Sequence, residues 1–372
     1  MQTRGALIVN IGNYSAIPLS GLNLTYKSPG GCGQMSGQVE LRPPYLGILQ
    51  LRENARVEVF DGGGLVWRGR LEERAATIQY GSAVWRFTAL GYAASLRDQF
   101  YSTSTTFASG TAIETIFTTV RGNLCPDIDN TDNSLVVATG RTLGAISADV
   151  NGKTAQDVFD NAAAIGDSNG NPLYWHIMPG VRGSTNKAVL ELISRPTTPT
   201  YFIGMEQGAI LDLSWALSRL YNRITVTWGA TPTYTTVNNT ASQAAAPDGY
   251  GVIKTMQISN SLIGAAADAT NAGNALLTRF QRINPIASRI TIPSTALISG
   301  SDGSTVLPWR ILPGRMIRIR DLRPGSIQQQ DYDFVISGWS WNEDSQMLTI
   351  TPEGPDDVTN LLARYLRNER LS

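Results

Sequence analysis

Histidine is almost missing from this chain of 372 residues, and lysine and cysteine are scarce. His176 is the only histidine, so a Ser-His-Asp or Cys-His nucleophile could only use that residue. A zinc site with two or more histidines is excluded. His176 lies inside the run Leu173–Ile177, which is typical of a strand with aromatic packing. This context predicts a packed or surface histidine rather than a catalytic one.

The charge balance and the cysteine spacing exclude further classes. Acidic and basic residues number 30 each, which gives no electrostatic basis for binding nucleic acid or an anionic membrane. Cys32 and Cys125 match no metal or redox spacing. No apolar run approaches the roughly 18 residues of a membrane helix, and no signal peptide precedes the first strand. We therefore expect a protein made in a reducing cytoplasm without stable membrane insertion.

Arginine dominates the basic residues, because only four of the 30 are lysines. Arginine is favoured at protein interfaces, since its flat guanidinium makes several fixed hydrogen bonds and is weakly hydrated. A GC-rich genome explains the excess about as well, so both interpretations stay open.

The most informative pattern that is present occurs twice, some 225 residues apart. Arg56–Leu90 and Arg315–Thr351 each contain three extended runs in the same order, joined by turns and spacers. Gly69 and Gly338 fall in the middle run of each copy, and we expect them to occupy matching positions. The repeat predicts two similar β-barrels within a mainly β fold that carries an α/β insertion.

Composition and periodicity predict five segments. They are a first β-barrel domain at 1–100, an α/β insertion at 101–200, a segment at 201–285, a second β-barrel at 286–354 and a C-terminal amphipathic helix at 355–372. In the third segment, the alternating run Tyr221–Trp228 predicts a strand that returns to the barrel. Thr231–Gly251 predicts a long exposed loop, and Ala265–Phe280 predicts a helix.

Helix starts are predicted at two capping boxes in the insertion. Thr111 with Glu114 precedes apolar residues at helical spacing, and Thr154 with Asp157 does the same. The C-terminal helix has an apolar stripe that could dock on its own domain or on another subunit. Its members are Val358, Leu361, Leu362, Tyr365 and Leu366.

The carboxylate pairs and the acidic loop do not form a convincing catalytic or metal site. Glu72 and Glu73 point to opposite faces of a strand, and Asp331 with Asp333 suits a strand entry. Asp356 and Asp357 suit a helix start. The loop Asp127–Asn133 lacks the glycine and the bidentate acid of a calcium loop. We predict no catalytic, cofactor-binding or metal-binding residues, and no cofactor.

Five tryptophans lie on predicted strands, where they could pack in a core or an interface, or form a sugar-binding platform. They are Trp67, Trp85, Trp228, Trp339 and Trp341. Core packing is the preferred interpretation. A carbohydrate-binding or glycan-degrading β-protein stays as the alternative.

The residues together resemble one family, the baseplate-hub or tail-tip proteins of tailed bacteriophages and related contractile injection machines. The resemblance lies in Arg56–Tyr92, in the Tyr221–Trp228 strand, and in Leu312–Ile319 followed by Phe334–Trp341 and Met347–Pro352. The order barrel, insertion, barrel and terminal segment covers nearly the whole chain.

The resemblance implies a structural virion protein rather than an enzyme. In that family, three subunits with two tail-tube-like β-barrels each form a ring of near-sixfold symmetry that joins a hexameric tail tube to a threefold spike or fibre. It implies a homotrimer in the virion tail, assembled in the host bacterial cytoplasm, with a channel that opens for DNA passage. A distal tail ring protein, present in six copies, is a further alternative within the same machine.

Overall fold

The computed structural model describes residues 7–41, 44–62, 64–79, 82–143, 148–169, 171–180, 187–214, 220–228, 231–260, 266–281, 286–322 and 330–353. The prediction of a mainly β fold is confirmed, with a sheet that curls as a half-barrel and few helices. The predicted C-terminal helix at 355–372 lies outside the described residues.

The elements of the first half of the chain are as follows. They are β1 (Ile8–Ile11), β2 (Tyr14–Ile17), β3 (Ser20–Lys27), β4 (Gly30–Glu40), β5 (Arg56–Asp61), β6 (Gly64–Gln79), β7 (Ser82–Gly91), β8 (Thr106–Phe107), α1 (Ile113–Leu124), β9 (Ala148–Asp149), α2 (Ala155–Ile165), β10 (Leu173–Met178) and β11 (Val189–Ser194).

The elements of the second half follow. They are β12 (Tyr201–Gly204), β13 (Ile210–Ser214), β14 (Arg223–Trp228), β15 (Thr233–Asn238), α3 (Thr240–Gln243), β16 (Thr255–Asn260), α4 (Ala266–Phe280), β17 (Ile286–Pro293), β18 (Ile298–Gly300), β19 (Thr305–Val306), β20 (Met316–Leu322), β21 (Gln330–Asn342) and β22 (Met347–Pro352).

Two sheets share one order of strands over their central part. The first sheet runs β2-β1-β5-β6-β7-β4-β3, with antiparallel neighbours throughout. The second sheet runs β19-β18-β12-β20-β21-β22-β17-β13, and only its β12–β20 pair is parallel. The repeated three-strand unit is therefore β5-β6-β7 in one sheet and β20-β21-β22 in the other.

The predicted equivalence of Gly69 with Gly338 is wrong, although both glycines lie on the middle strand. Gly69 pairs with Val57, the second residue of β5. The second residue of β20 is Ile317, and it pairs with Phe334. Gly69 therefore matches Phe334, four positions before Gly338.

A β-bulge confirms this alignment from the other side of the middle strand. In the first sheet the bulge lies between Leu71 and Glu73, and in the second between Ile336 and Gly338. Gly338 therefore matches Glu73. Glycine is required at neither position by the shared architecture, and the true common feature is the extra residue that bends each strand.

The turn before the first strand of each repeated three-strand unit is also the same. Asn54 has φ 72° and donates its N–H to the carbonyl of Leu71 at 2.7 Å. Gly314 has φ 73° and donates to the carbonyl of Ile336 at 2.7 Å. Glycine and asparagine are the residues that best tolerate this left-handed backbone, so the same turn is built from two different residue types.

The insertion contains the two predicted helices. Phe117 of α1 and Phe159 of α2 lie 4.7 Å apart, and Phe159 also contacts Trp175 of β10 edge-on. The capping box of Thr154 with Asp157 is confirmed. The box of Thr111 with Glu114 is wrong, because the N-cap of α1 is Ala112, which has no capping side chain. The Thr111 hydroxyl donates to the carbonyl of Ala108, and the Glu114 carboxylate accepts a hydrogen bond from Thr139.

The strand Tyr221–Trp228 was predicted to return to the barrel, and this is wrong. As β14, it lies in a separate sheet of order β15-β14-β16. Helix α4, confirmed at its predicted place, covers this sheet and shares an apolar core with it that includes Ile224, Val226 and Phe280. The segment Thr231–Gly251 is mostly exposed, as predicted, but it is not a continuous loop, since it contains β15 and α3.

Candidate assembly surfaces

The two large sheets are joined by direct strand pairing. β3 of the first sheet pairs antiparallel with β21 of the second over Asn23–Lys27 and Gly338–Asn342. The ring of Tyr26 stacks on that of Trp339 with centroids 4.8 Å apart. Buried residues of both sheets form one continuous apolar cluster. The junction therefore combines backbone hydrogen bonds with a shared core.

Two strand edges do not have this kind of cover. In the described part of the chain, the portion of β6 beyond the bulge pairs only with β7, and β13 pairs only with β17. The residues Glu72–Ile78 are all exposed, and the side chains of Ile78 and Ile210 are 73% and 58% exposed. Open edges of this kind are templates for pairing with another chain.

A groove of about 590 Å³ lies beside the β6 edge. Its lining comes from β3, β4, β6 and β7 and combines polar side chains, among them Gln38, Glu73 and Arg86, with apolar surface that includes Phe87. Phe87 and Trp85 also belong to the buried core of the sheets. The groove therefore places polar side chains next to an unpaired strand edge.

A buried polar network ties the insertion to both sheets. His176 is fully buried, and its Nδ1 lies 2.9 Å from Glu191 Oε2 while its Nε2 lies 2.9 Å from Ser28 Oγ. Arg315 of the second sheet donates to Glu191 Oε1 at 2.6 Å. Burial alone would raise the pKa of Glu191. The hydrogen bond from His176 and the charge of Arg315 outweigh it and hold the pKa below its usual range.

Ser28, His176 and Glu191 have the hydrogen-bond order of a nucleophilic triad, but their surroundings favour a structural role. The second sheet covers the imidazole, since a Cβ placed on Gly314 would lie 2.7 Å from its Cε1. A serine nucleophile needs both its oxygen and the imidazole open to substrate. His176 is therefore the packed histidine that the sequence predicted.

The partners of His176 were not identified from the sequence. One signal could have found Glu191. It is the only charged residue in the apolar strand β11, and it lies directly opposite His176 of the neighbouring strand β10. Lone polar residues facing each other on neighbouring apolar strands predict a buried pair.

Three more polar contacts cross between the parts of the molecule, and all are buried or partly buried. Arg68 of β6 pairs with Glu58 and also donates to the carbonyl of Lys187 in the insertion. Arg310 and the indole of Trp309 both donate to Asp61 of the first sheet. Arg195 of the insertion pairs with Glu353 of the second sheet. Such contacts specify how the parts fit together.

Four of the five strand tryptophans are confirmed as core residues. Trp67, Trp85, Trp339 and Trp341 are each at most 4% exposed. Trp228 is half-buried in the small sheet, where its indole donates to Thr235. A sugar-stacking platform needs exposed rings, and these four have none to offer.

Two of the carboxylates that were considered for chemistry lie beside arginines. Glu72 is exposed beside Arg70, and Asp333 pairs with Arg318. In the loop Asp127–Asn133, the Asp129 carboxylate accepts hydrogen bonds from the backbone N–H groups of Thr131 and Asp132, so that the loop is closed by its own residues. Asp356 and Asp357 lie outside the described residues. Among the residues with described positions, no group of three or more potential metal ligands occurs.

Both cysteines are buried and unpaired thiols. Burial raises the pKa of Cys32 to about 11 and that of Cys125 to about 12. Protonated, buried thiols are poor nucleophiles and poor metal ligands. Within the described ranges, no helix is long and apolar enough to cross a membrane.

Comparison with known proteins finds likeness in structure but not in sequence. No protein-family model and no curated protein matches the chain. The 43 kDa tail protein of prophage MuSo2 from Shewanella oneidensis has a TM-score of 0.63 and 13% identity, over 94% of this chain and 98% of that one. A tail protein from Neisseria meningitidis has a TM-score of 0.60 and 13% identity, over 95% and 98%.

A type VI secretion component is similar as well. This E. coli protein, described as similar to the phage T4 tail proteins gp27 and gp5, has a TM-score of 0.50 and 9% identity, over 92% of this chain and 76% of that one. The chain therefore has the fold of phage tail proteins, a fold also found in a type VI secretion component. This agrees with the resemblance drawn from its sequence.

Proposed function

We propose that this protein is a structural component of a phage tail, a homotrimeric hub or tail-tip ring that joins the hexameric tail tube to a threefold spike or fibre. The observation that carries the proposal is the internal duplication. The two sheets share strand order, register, bulge and entry turn across the repeated unit. The fold of the structural neighbours supports a tail role.

The duplication has a direct meaning for symmetry. Three copies of a chain with two matching sheets present six matching sheets around one axis. One face of such a ring can meet a sixfold tube. The three insertions and the three separate sheets of β14, β15 and β16 keep threefold symmetry for a spike or fibre. Two similar sheets in one chain are thus a physical means of adapting sixfold to threefold symmetry.

The remaining features fit a protein that works by assembly. The buried polar groups join parts of the molecule, and the described tryptophans of the large sheets lie in the core. We propose a non-enzymatic role in the virion tail, after assembly in the host bacterial cytoplasm. The zero formal charge suits a channel wall that lets DNA pass without gripping it. Closing and opening of that channel belong to the proposal.

Copy number tests the proposed function. Native mass spectrometry of the full chain should give three times the mass of one chain, alone or with its tube and spike partners. Cryo-electron microscopy of the particle should place three copies at the end of the tail tube. Six copies would instead identify a distal tail ring, and a chain absent from tails would overturn the proposal.

A further inference from the structure

The junction inside one chain shows how a sheet edge of this protein is covered. The carbonyl of Ser337 accepts a bond from the N–H of Ser28, and the N–H of Glu343 donates to the carbonyl of Leu22. Backbone groups of alternate residues on β21, from Ser337 to Glu343, therefore face β3. This pairing begins directly after the bulge.

The same stretch of the first sheet has no such neighbour. Since Gly338 matches Glu73, the residues of β6 that correspond to Trp341 and Asn342 are Ala76 and Thr77. The outward-facing backbone positions that correspond to Ser337–Glu343 lie within Glu72–Ile78. In the described residues this stretch is exposed and pairs only with β7.

The strand that corresponds to β3 in the second sheet is β13. In the first sheet Gln38 pairs with both Arg86 and Ser20, while in the second Thr291 pairs with both Thr349 and Ile210. Ser20 therefore matches Ile210. By the same reasoning through β4 and β17, Asn23 matches Asp212. Among the residues described, β13 pairs only with β17, so its outer edge is open.

We propose that β13 of one copy pairs antiparallel with β6 of the next copy, with Asp212 opposite Thr77 and Ser214 opposite Ala75. This register is the internal one transferred between matching residues, because Asn23 pairs with Asn342 and Thr25 with Ser340. The occupant of the open β6 edge is thus a second copy of this chain. The proposal rests on the proposed function, whose ring it supplies with a contact.

Charge and apolar exposure at the two edges are complementary. The guanidinium of Arg86 lies against Thr77, with Nη1 3.3 Å from Oγ1. Asp212, which is exposed, would stand opposite Thr77 and bring its carboxylate to that guanidinium. In this register Ile78, whose side chain is 73% exposed, lies opposite Leu211 and gains an apolar cross-strand neighbour.

The contact closes a ring. It is head-to-tail, because each copy offers β13 to one neighbour and β6 to the other, and such contacts form rings when the rotation closes. In a trimer, three internal β3–β21 junctions would alternate with three β13–β6 junctions between copies. Six similar junctions then connect six similar sheets.

A disulfide between copies tests the register. In the full-length chain, the double variant Thr77→Cys with Asp212→Cys should oxidise to covalent dimers and closed trimers on a non-reducing gel, since directly opposed residues fall within disulfide reach. Each single variant should stay uncrosslinked, because head-to-tail pairing never brings two copies of one position together. The control Ala75→Cys with Asp212→Cys lies two residues out of register and should crosslink at least tenfold less.

The outcomes separate this inference from the proposed function. A trimer by mass in which the in-register pair fails to crosslink would overturn the strand contact and leave the trimer standing. Crosslinking of the Thr77→Cys single variant would also overturn it, by showing a symmetric contact. Crosslinked chains that grow into open filaments would support the contact and overturn the closed ring. A chain that stays monomeric up to millimolar concentration, both alone and with its tube and spike partners, would overturn both.

Discussion

At the scale of single residues, several deeply buried ionisable groups of this protein lie where separate parts meet. Glu191 sits between His176 of the neighbouring strand and Arg315 of the second sheet, and its side chain is 4% exposed. A buried carboxylate is stable only when its partners replace the lost water. The network therefore holds the insertion in one orientation on the two sheets.

Glu191→Gln should destabilise the protein by about 2–4 kcal/mol, because it leaves the Arg315 guanidinium without its buried counter-charge. The amide can still bond to His176, so the loss reports mainly on the ion pair. Chemical denaturation of the two proteins at pH 7 measures it. Asp98→Asn is the control: its side chain is 54% exposed beside Arg70, and the change should cost less than about 1 kcal/mol.

The same carboxylate predicts a pH dependence. Its pKa is lower in the folded protein than its ordinary value of 4.5. The stabilisation is therefore complete above pH 4.5 and is lost as pH falls through the lower folded value. The difference in unfolding free energy between wild type and Glu191→Gln should shrink as the pH falls below 4.5. A difference that grew with acidification would contradict this assignment.

Gly69 has a role of its own, even though it is not the counterpart of Gly338. A Cβ at Gly69 would lie 2.1 Å from the carbonyl oxygen of Leu90, which belongs to the neighbouring strand and cannot move aside cheaply. Gly69→Ala should cost about 2–3 kcal/mol, as overpacking does. Gly62→Ala, in the turn before the same strand and with nothing within 4 Å, should change the melting temperature little. Thermal unfolding of both variants makes the comparison.

At the scale of elements, the two copies of the repeated unit have kept their backbone and exchanged their side chains. The Glu58–Arg68 pair of the first sheet has the opposite polarity in the second, where Arg318 pairs with Asp333 at the matching position. What is common is therefore geometry: two cross-strand charges, a bulge and a left-handed entry residue. Strand order can survive such changes because it depends on alternation rather than on particular residues.

This pair of ion pairs makes a matched experiment within one chain. The side chain of Arg68 is 1% exposed and that of Arg318 is 36% exposed. Glu58→Gln should therefore cost about 3 kcal/mol, since it leaves a buried guanidinium without its carboxylate. Asp333→Asn should cost less than about 1 kcal/mol. Equal losses in urea denaturation would show that burial does not decide the value of this contact.

The sequence predicted those features of the fold that depend on local periodicity. The repeated unit, helix α4 and the capping box at Thr154 follow from alternation and spacing within a few residues. The register of the repeat could not be found in this way, because the first two strands of each copy are joined by connections of different length, and only cross-strand pairing shows which residues correspond. Strand β14 was misplaced since an alternating strand fits any half-buried sheet, and only long-range pairing decides which one.

At the scale of the whole molecule, no pattern in the sequence signals how the two large sheets are arranged relative to each other. The β3–β21 junction joins residues more than 300 positions apart, and its partners are ordinary strand residues. The open edges of β6 and β13 could not have been identified before the internal junction was seen. Knowing one junction, however, predicts the other, because matching strands should be covered in matching ways.

Proline substitutions at neighbouring positions of β6 test that expectation. The N–H of Ala76 corresponds to that of Trp341, which faces the partner strand, while the N–H of Ala75 corresponds to that of Ser340, which faces β22. Proline is tolerated on an edge strand where the missing N–H pointed outward. Ala76→Pro should therefore leave the fold of each copy intact and weaken association of the trimer by tenfold or more, or about 1.4 kcal/mol. Ala75→Pro should instead lower the melting temperature of the chain itself, since it breaks the β6–β7 ladder.

Sedimentation velocity over a concentration series gives the association constants, and circular dichroism gives the melting temperatures. An Ala76→Pro protein that is folded and associates as tightly as the wild type would show that the β6 edge is not where the copies meet.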